Sequence, residues 1–268
     1  MKSSINISKE NNKENESAKP NPIIENLKSD YFLQKLYDNI PKKKKLEIVK
    51  YNKKIQNRLN LSVKDYKEYS EILIEIEIIP AKDKYGRFIN IDENDKLYYH
   101  IYFNDNKEEI KNKYEINKKD KITKIKIIID YQVKSFEDLF YECKCIESIN
   151  VKKFYRNNIS DMSWMFSGCS SLKELNLNNF NTNNVTNMRE MFSGCSSLKE
   201  LNLNHFNTNN VTDMGSMFWG CSSLKELNLI NFNTNNVTNV RWMFEGCSDD
   251  LKKKIKSENK NIKDIAFL

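Results

Sequence analysis

The sequence predicts an α+β fold, with a C-terminal leucine-rich-repeat solenoid preceded by a small β-rich module and a short three-helix segment. Three observations carry this prediction. A 26-residue pattern returns with phenylalanine at Phe166, Phe192, Phe218 and Phe244 and cysteine at Cys169, Cys195, Cys221 and Cys247. Ile72 to Ile78, Ile-Leu-Ile-Glu-Ile-Glu-Ile, repeats isoleucine at every second position, the period of a half-buried strand. Phe32, Leu33, Leu36, Tyr37 and Ile40 fall on one helical face that Pro41 ends.

The 26-residue period fixes which residues are equivalent and therefore constrains every other element. MFSGCSSLKELNLNNFNTNNVTNM begins at Met165 and returns, nearly unchanged, from Met191 and Met217; a fourth start at Met243 breaks off after Cys247. A worn copy precedes them, with Phe140 and Cys143 in the same columns and Ile146, Ile149, Val151 and Phe154 keeping the apolar positions. The array therefore runs over 133–247. Within a unit, Leu175 and Leu177 alternate as a short strand that points Glu174 and Asn176 outward. Thr186 to Gly194 reads as one to two helical turns, with Thr186 as cap and Gly194 as stop. One strand and one helical turn close no core alone, so neighbouring units have to stack.

Residues 1–22 are Lys, Asn, Ser and Glu with little to bury, which predicts disorder. Over 23–70, a second helix rests on Leu46, Val49, Ile55 and Leu59, and Ser62 to Asp65 reads as the start of a third. Over 71–132, strands are expected at 72–78, 88–91, 97–103 and 122–129, in a module that covers the first unit of the array. Over 248–268, Leu251, Ile255, Ile262 and Ile265 suit a helical cap on the last unit.

Composition narrows the function. The chain has 268 residues, a net charge of +7 and two histidines, His100 and His205. Most histidine-dependent acid–base and metal chemistry has little to work with. No apolar run reaches the roughly 20 residues that cross a bilayer, and the opening residues have no greasy segment, so a cytoplasmic location without membrane insertion is expected. Residues 157–247 carry a net charge of −2, so the positive excess lies outside the repeats. Interspersed acids make it a solvated face, and no nucleic-acid partner is expected. No hydrolase, P-loop or zinc-protease motif is present, and neither an enzymatic activity nor a cofactor is expected.

The pattern MFxGCxSLxxLxLxxFNTxxVTxM resembles the leucine-rich repeats of BspA-type proteins, a group that includes mycoplasmal and protozoan surface repeats. The resemblance implies a non-enzymatic binding scaffold for a protein partner, with a cell-surface adhesin as an alternative. The order of apolar residues from Phe32 through Val49 also resembles an F-box. That likeness implies a substrate adaptor docking on a ubiquitin-ligase core subunit through residues 23–70.

Candidate site residues come from the outward columns. Glu174, Glu200 and Glu226 with Asn176, Asn202 and Asn228 form a monotonous ladder suited to an extended partner. Differences between copies concentrate at Trp164, Trp219 and Trp242, and at His205 in a column otherwise held by Asn. The columns of Cys143, Cys169, Cys195, Cys221 and Cys247 and of Phe140, Phe166, Phe192, Phe218 and Phe244 are structural. The cysteines are read as reduced thiols filling a narrow slot, because ladder side chains point in parallel and not at each other. Cys143-Lys-Cys145 is too short for a redox or zinc pair, so no metal site is expected. The acceptor-like Asn-Val-Thr at Asn184, Asn210 and Asn236 and Asn-Ile-Ser at Asn158 are explained by bend and cap geometry.

Overall fold

A computed structural model describes residues 29–38, 52–61, 73–130, 132–154 and 156–268. The chain divides into two compact units, Met1–Lys67 and Glu68–Leu268.

In the first unit, α1 (Asp30–Asp38) and α2 (Lys53–Arg58) bury Leu33, Tyr37 and Ile55 together, with Leu59 and Leu61 packed alongside. Asn52 caps α2 by accepting from the Ile55 amide at 3.1 Å, and Arg58 Nε donates to Asp30 Oδ1 at 2.7 Å. The buried face of α1 is narrower than its sequence predicts, because Phe32 and Leu36 are exposed. The third helix start at 62–65, together with Ile40, Leu46, Val49 and the tail over 1–22, lies outside the described residues.

Among the described residues, the second unit holds three sheets. Five strands pair in the order β3 (Tyr99–Phe103), β5 (Ile125–Ile129), β1 (Ile74–Pro80), β6 (Ile146–Lys153), β7 (Glu174–Asn176). The pairs β3–β5, β5–β1 and β1–β6 are antiparallel, and β6–β7 is parallel. Two small sheets stand apart, β2 (Gly86–Arg87) with β4 (Glu115–Ile116), and β8 (Glu200–Asn202) with β9 (Glu226–Asn228). The isoleucine alternation reads out directly: Ile74, Ile76 and Ile78 are buried against Ile125, Ile127 and Ile129. On the other face Glu75 and Glu77 pair with Lys126, Lys153, Lys124 and Lys152. Of the expected strands, 88–91 does not form; Phe88 and Ile89 are buried just past β2 instead.

The predicted solenoid is not what the chain forms. The fold is mixed α+β with a few short helices and several small sheets, and the strands of the repeats are divided between two of those sheets. The β-rich module meets the first repeat by strand pairing, with β1 antiparallel to β6 in one sheet. The expected helical turn in each repeat is absent as well. Trp164, Glu190, Ser216 and Trp242 hold φ near +54° in the middle of it, a left-handed conformation that ends any right-handed helix. Thr186 caps nothing; its hydroxyl donates to the Ser160 carbonyl one unit back at 3.2 Å.

What the period does set is register. The amides of Met162, Trp164, Phe166 and Gly168 donate to the carbonyls of Asn187, Arg189, Met191 and Ser193 at 2.7–3.0 Å, and the next two units repeat the pattern. Phe140, Phe166, Phe192, Phe218 and Phe244 lie in one line with centroids 5.5–5.6 Å apart. The far end is closed by α3 (Asp249–Glu258), which is capped by Ser248 and buries Leu251 and Ile255. Phe267, and not the exposed Ile265, completes the aromatic line against Phe244 at 5.0 Å.

A polar column reinforces the register. Asp161, Asn187, Asp213 and Asn239 are bridged in parallel, with Asn187 Nδ2 donating to Asp161 Oδ2 at 3.1 Å and Asn239 Nδ2 donating to Asp213. Alternation keeps carboxylates out of adjacent layers. Asn187→Asp therefore replaces a donor by a third carboxylate, at an expected cost of about 2 kcal/mol in urea unfolding at pH 7. The introduced carboxyl is held above the ordinary Asp range by its two neighbours, so the folded state takes up its proton first. The cost then shrinks as pH falls toward 4; a pH-independent cost counts against charge repulsion.

Candidate functional site: a polar groove on the strand face

The strand face opens into a groove of about 1060 Å³, whose lining includes Ser148, Asn150, Glu174, Asn176, Asn178, Glu200, Asn202, Glu226 and Asn228. The six ladder residues read from the sequence are thus brought together. Parallel pairing sets Glu200 beside Glu226 and Asn202 beside Asn228, while β7 presents Glu174 and Asn176 in the same columns.

The two rows differ chemically. Asn176, Asn202 and Asn228 each accept, through Oδ1, the amide two residues on, at 3.1–3.2 Å. Their oxygens are used by the turn, so the row offers NH2 donors to the groove. The glutamate row offers acceptors and negative charge. One wall escaped sequence reasoning, namely Lys254, Glu258 and Asn259 of α3 and its C-cap. Lys254 Nζ ion-pairs with Glu226 Oε2, 28 residues away. The chain leaves the repeat pattern at Ser248, so no periodic signal could have placed these residues. Four carboxylates against one ammonium make the groove acidic on a chain whose overall charge is +7.

The tryptophans do not line this groove. Trp219 and Trp242 are 50% and 58% exposed, in neighbouring units. Trp164 is half-buried, with the Arg189 guanidinium 5.8 Å from its ring centroid. His205 is also elsewhere, beside a smaller hollow formed by Phe154 and Asn178 to Asn183. Its Nε2 lies 2.7 Å from the Leu177 carbonyl, and burial pushes its pKa down while that bond opposes the shift.

The asparagines of the Asn-x-Thr/Ser motifs are engaged as staples. Asn184, Asn210 and Asn236 donate through Nδ2 to the carbonyls of Asn157, Asn183 and Asn209 at 2.6–2.9 Å, and Asn158 donates to Val133 at 3.2 Å. A glycan on any of these nitrogens would leave a single N–H and would have to fit beside a contact between units.

All six cysteines are buried free thiols. Cys169, Cys195, Cys221 and Cys247 donate through Sγ to the carbonyls of Phe140, Phe166, Phe192 and Phe218 at 3.0–3.2 Å. Burial pushes every thiol up, to about 11 for Cys145 and Cys247 and further for the other four. None is poised as a nucleophile. Native protein incubated with iodoacetamide between pH 7 and 9 is expected to be alkylated only slowly, with Cys247, at 7% the most exposed, reacting first. Mass spectrometry showing rapid alkylation at a central position such as Cys195 is the contrary result.

Among the described residues, no group of His, Cys, Asp and Glu could hold a metal ion, and no helix is long and apolar enough to cross a membrane. No curated protein and no solved structure matches the chain. Residues 134–258, the segment that builds the groove from β6 through α3, match the family described as Mycoplasma protein of unknown function, DUF285.

Proposed function

We propose that the chain is a non-enzymatic protein-interaction scaffold that holds an extended, basic segment of another protein in the strand-face groove. One observation carries the reading: three glutamates and three asparagines stand at a fixed 26-residue offset on an exposed concave face, with the asparagine oxygens already satisfied. A surface built from identical rows suits a partner with repeating charge and an accessible backbone more than a compact, irregular one. The buried thiols leave cysteine chemistry out of reach of a substrate, which favours binding over turnover. We read the repeats as BspA-type leucine-rich repeats and the location as cytoplasmic. The staple role of the Asn-x-Thr/Ser asparagines weighs against a glycosylated surface adhesin.

The adaptor reading has one observation in its favour, the exposed Tyr31, Phe32 and Leu36 on α1. Such a stripe suits helix-to-protein docking.

The groove reading is tested with two labelled peptides of equal length, one bearing lysines at alternate positions and the other glutamates. Binding of the lysine peptide is expected to weaken with added salt and to fall about tenfold when Glu174, Glu200 and Glu226 are all changed to Gln. Trp219→Ala and Trp242→Ala leave it unchanged on this reading. Equal binding of the two peptides, or no loss in the triple variant, removes the groove as the site.

A further inference from the structure

The floor of the groove is interrupted at one place. Among the described residues, β7 is an edge of the five-stranded sheet and β8 an edge of the two-stranded one, with no ladder pairing between them. Leu175 on β7 is correspondingly only partly buried, whereas Leu201 and Leu227 in the same column are buried. The second phenylalanine column widens on both sides of Phe206, with Phe180 and Phe206 6.1 Å apart and Phe206 and Phe232 6.5 Å, against 4.6 Å for Phe154 and Phe180, so this spread marks the layer of Phe206 and His205 and not the β7/β8 boundary alone.

The same boundary is continuous on its other side. Asp161 bridges Asn187, the Trp164 and Phe166 amides reach Arg189 and Met191 at 2.9 Å, and Phe166 stacks on Phe192 at 5.6 Å. One edge is held and the opposite edge is unladdered, which is the geometry of a hinge.

His205 stands at the open edge. Its column holds asparagine in the flanking units, where Asn179 Nδ2 donates to Val151 and Lys152 at 3.0 Å and Asn231 Nδ2 donates to Asn204. In place of that short amide, the imidazole reaches Leu177 O at 2.7 Å and sets its ring edge-on against Phe206, with centroids 5.1 Å apart at 82°. A rigid ring fills more space between layers than a carboxamide does, and both neighbours of Phe206 stand off from it.

We propose that the β7/β8 boundary is a hinge built into the groove floor, with His205 as the pin that spans it. Flexing there changes the spacing of Glu174 to Glu200 while Glu200 and Glu226 stay laddered, so the groove adjusts its length at one point. The inference goes beyond the binding reading and is read without any ligand, so either can fail alone.

Amide hydrogen exchange in the full chain tests it. The stretch CSSLKELNL is identical at 195–203 and 221–229, so Glu200 and Glu226 have the same intrinsic exchange chemistry. The Glu226 amide donates to Lys199 O at 3.2 Å, whereas Glu200 faces the unpaired boundary. In the wild type, Glu200 is expected to exchange at least about tenfold faster than Glu226. His205→Asn is expected to bring the two within about threefold, leaving protection of the Phe166 amide, which donates to Met191 O on the held side, unchanged. Equal protection of Glu200 and Glu226 in the wild type overturns the hinge, and an unchanged ratio in His205→Asn overturns the role of His205.

Discussion

The structure depends on one constraint: in each repeat, alternate amides of the turn segment are satisfied by the next unit and not by their own. Met188, Glu190, Phe192 and Gly194 donate to Asp213, Met217 and their neighbours 25 residues on, as Met162 to Gly168 do one unit earlier. An isolated unit would leave these donors to water and its phenylalanine face bare, so neither half of the arrangement is stable without the other. Once the amides fix the offset, every side-chain column follows. Phenylalanines meet phenylalanines, cysteine thiols meet the carbonyls of the preceding layer, and outward glutamates form rows.

The same constraint explains why the turn segments are not helices. A helix spends each amide on its own carbonyl four residues back. Here that amide is committed to a neighbour, and a left-handed residue at Trp164, Glu190, Ser216 and Trp242 lets the chain turn without helical bonds. A non-glycine residue in this conformation costs roughly 1–2 kcal/mol. The inter-unit bonds on either side of it outweigh that cost when they are made together.

Columns were therefore legible in the sequence while the elements between them were not. Phe140 and Cys143 could be placed by counting back 26 from Phe166 and Cys169, and both are fully buried. The same counting gave the outward rows of glutamate and asparagine. Periodicity says which residues are equivalent but not which backbone conformation they share, so Thr186 and Gly194 read as the cap and stop of a helical turn that the backbone does not form. Nor does it say how strands are apportioned among sheets. That depends on where pairing lapses, between β7 and β8, and on β1 joining β6, a contact between segments with no common pattern. The wall at Lys254 was hidden for the same reason, because it lies past the last repeat.

Asparagine shows how far a residue's chemistry is decided by its layer. Asn176 spends its oxygen on its own turn and turns its amide outward. Asn184 spends its amide on the unit behind. Asn187 donates to the carboxylate of Asp161 and accepts, through Oδ1, the Arg189 amide. Three residues of one type within twelve positions thus have different free valences, and only the first leaves donors in the groove. A chain rich in asparagine is in this way mostly bonded to itself, and what it offers a partner is the small remainder that the register does not consume. That remainder repeats wherever the columns repeat. Individuality has to come from positions the register leaves unspecified, which are the outward tryptophans and the single histidine that interrupts an asparagine column.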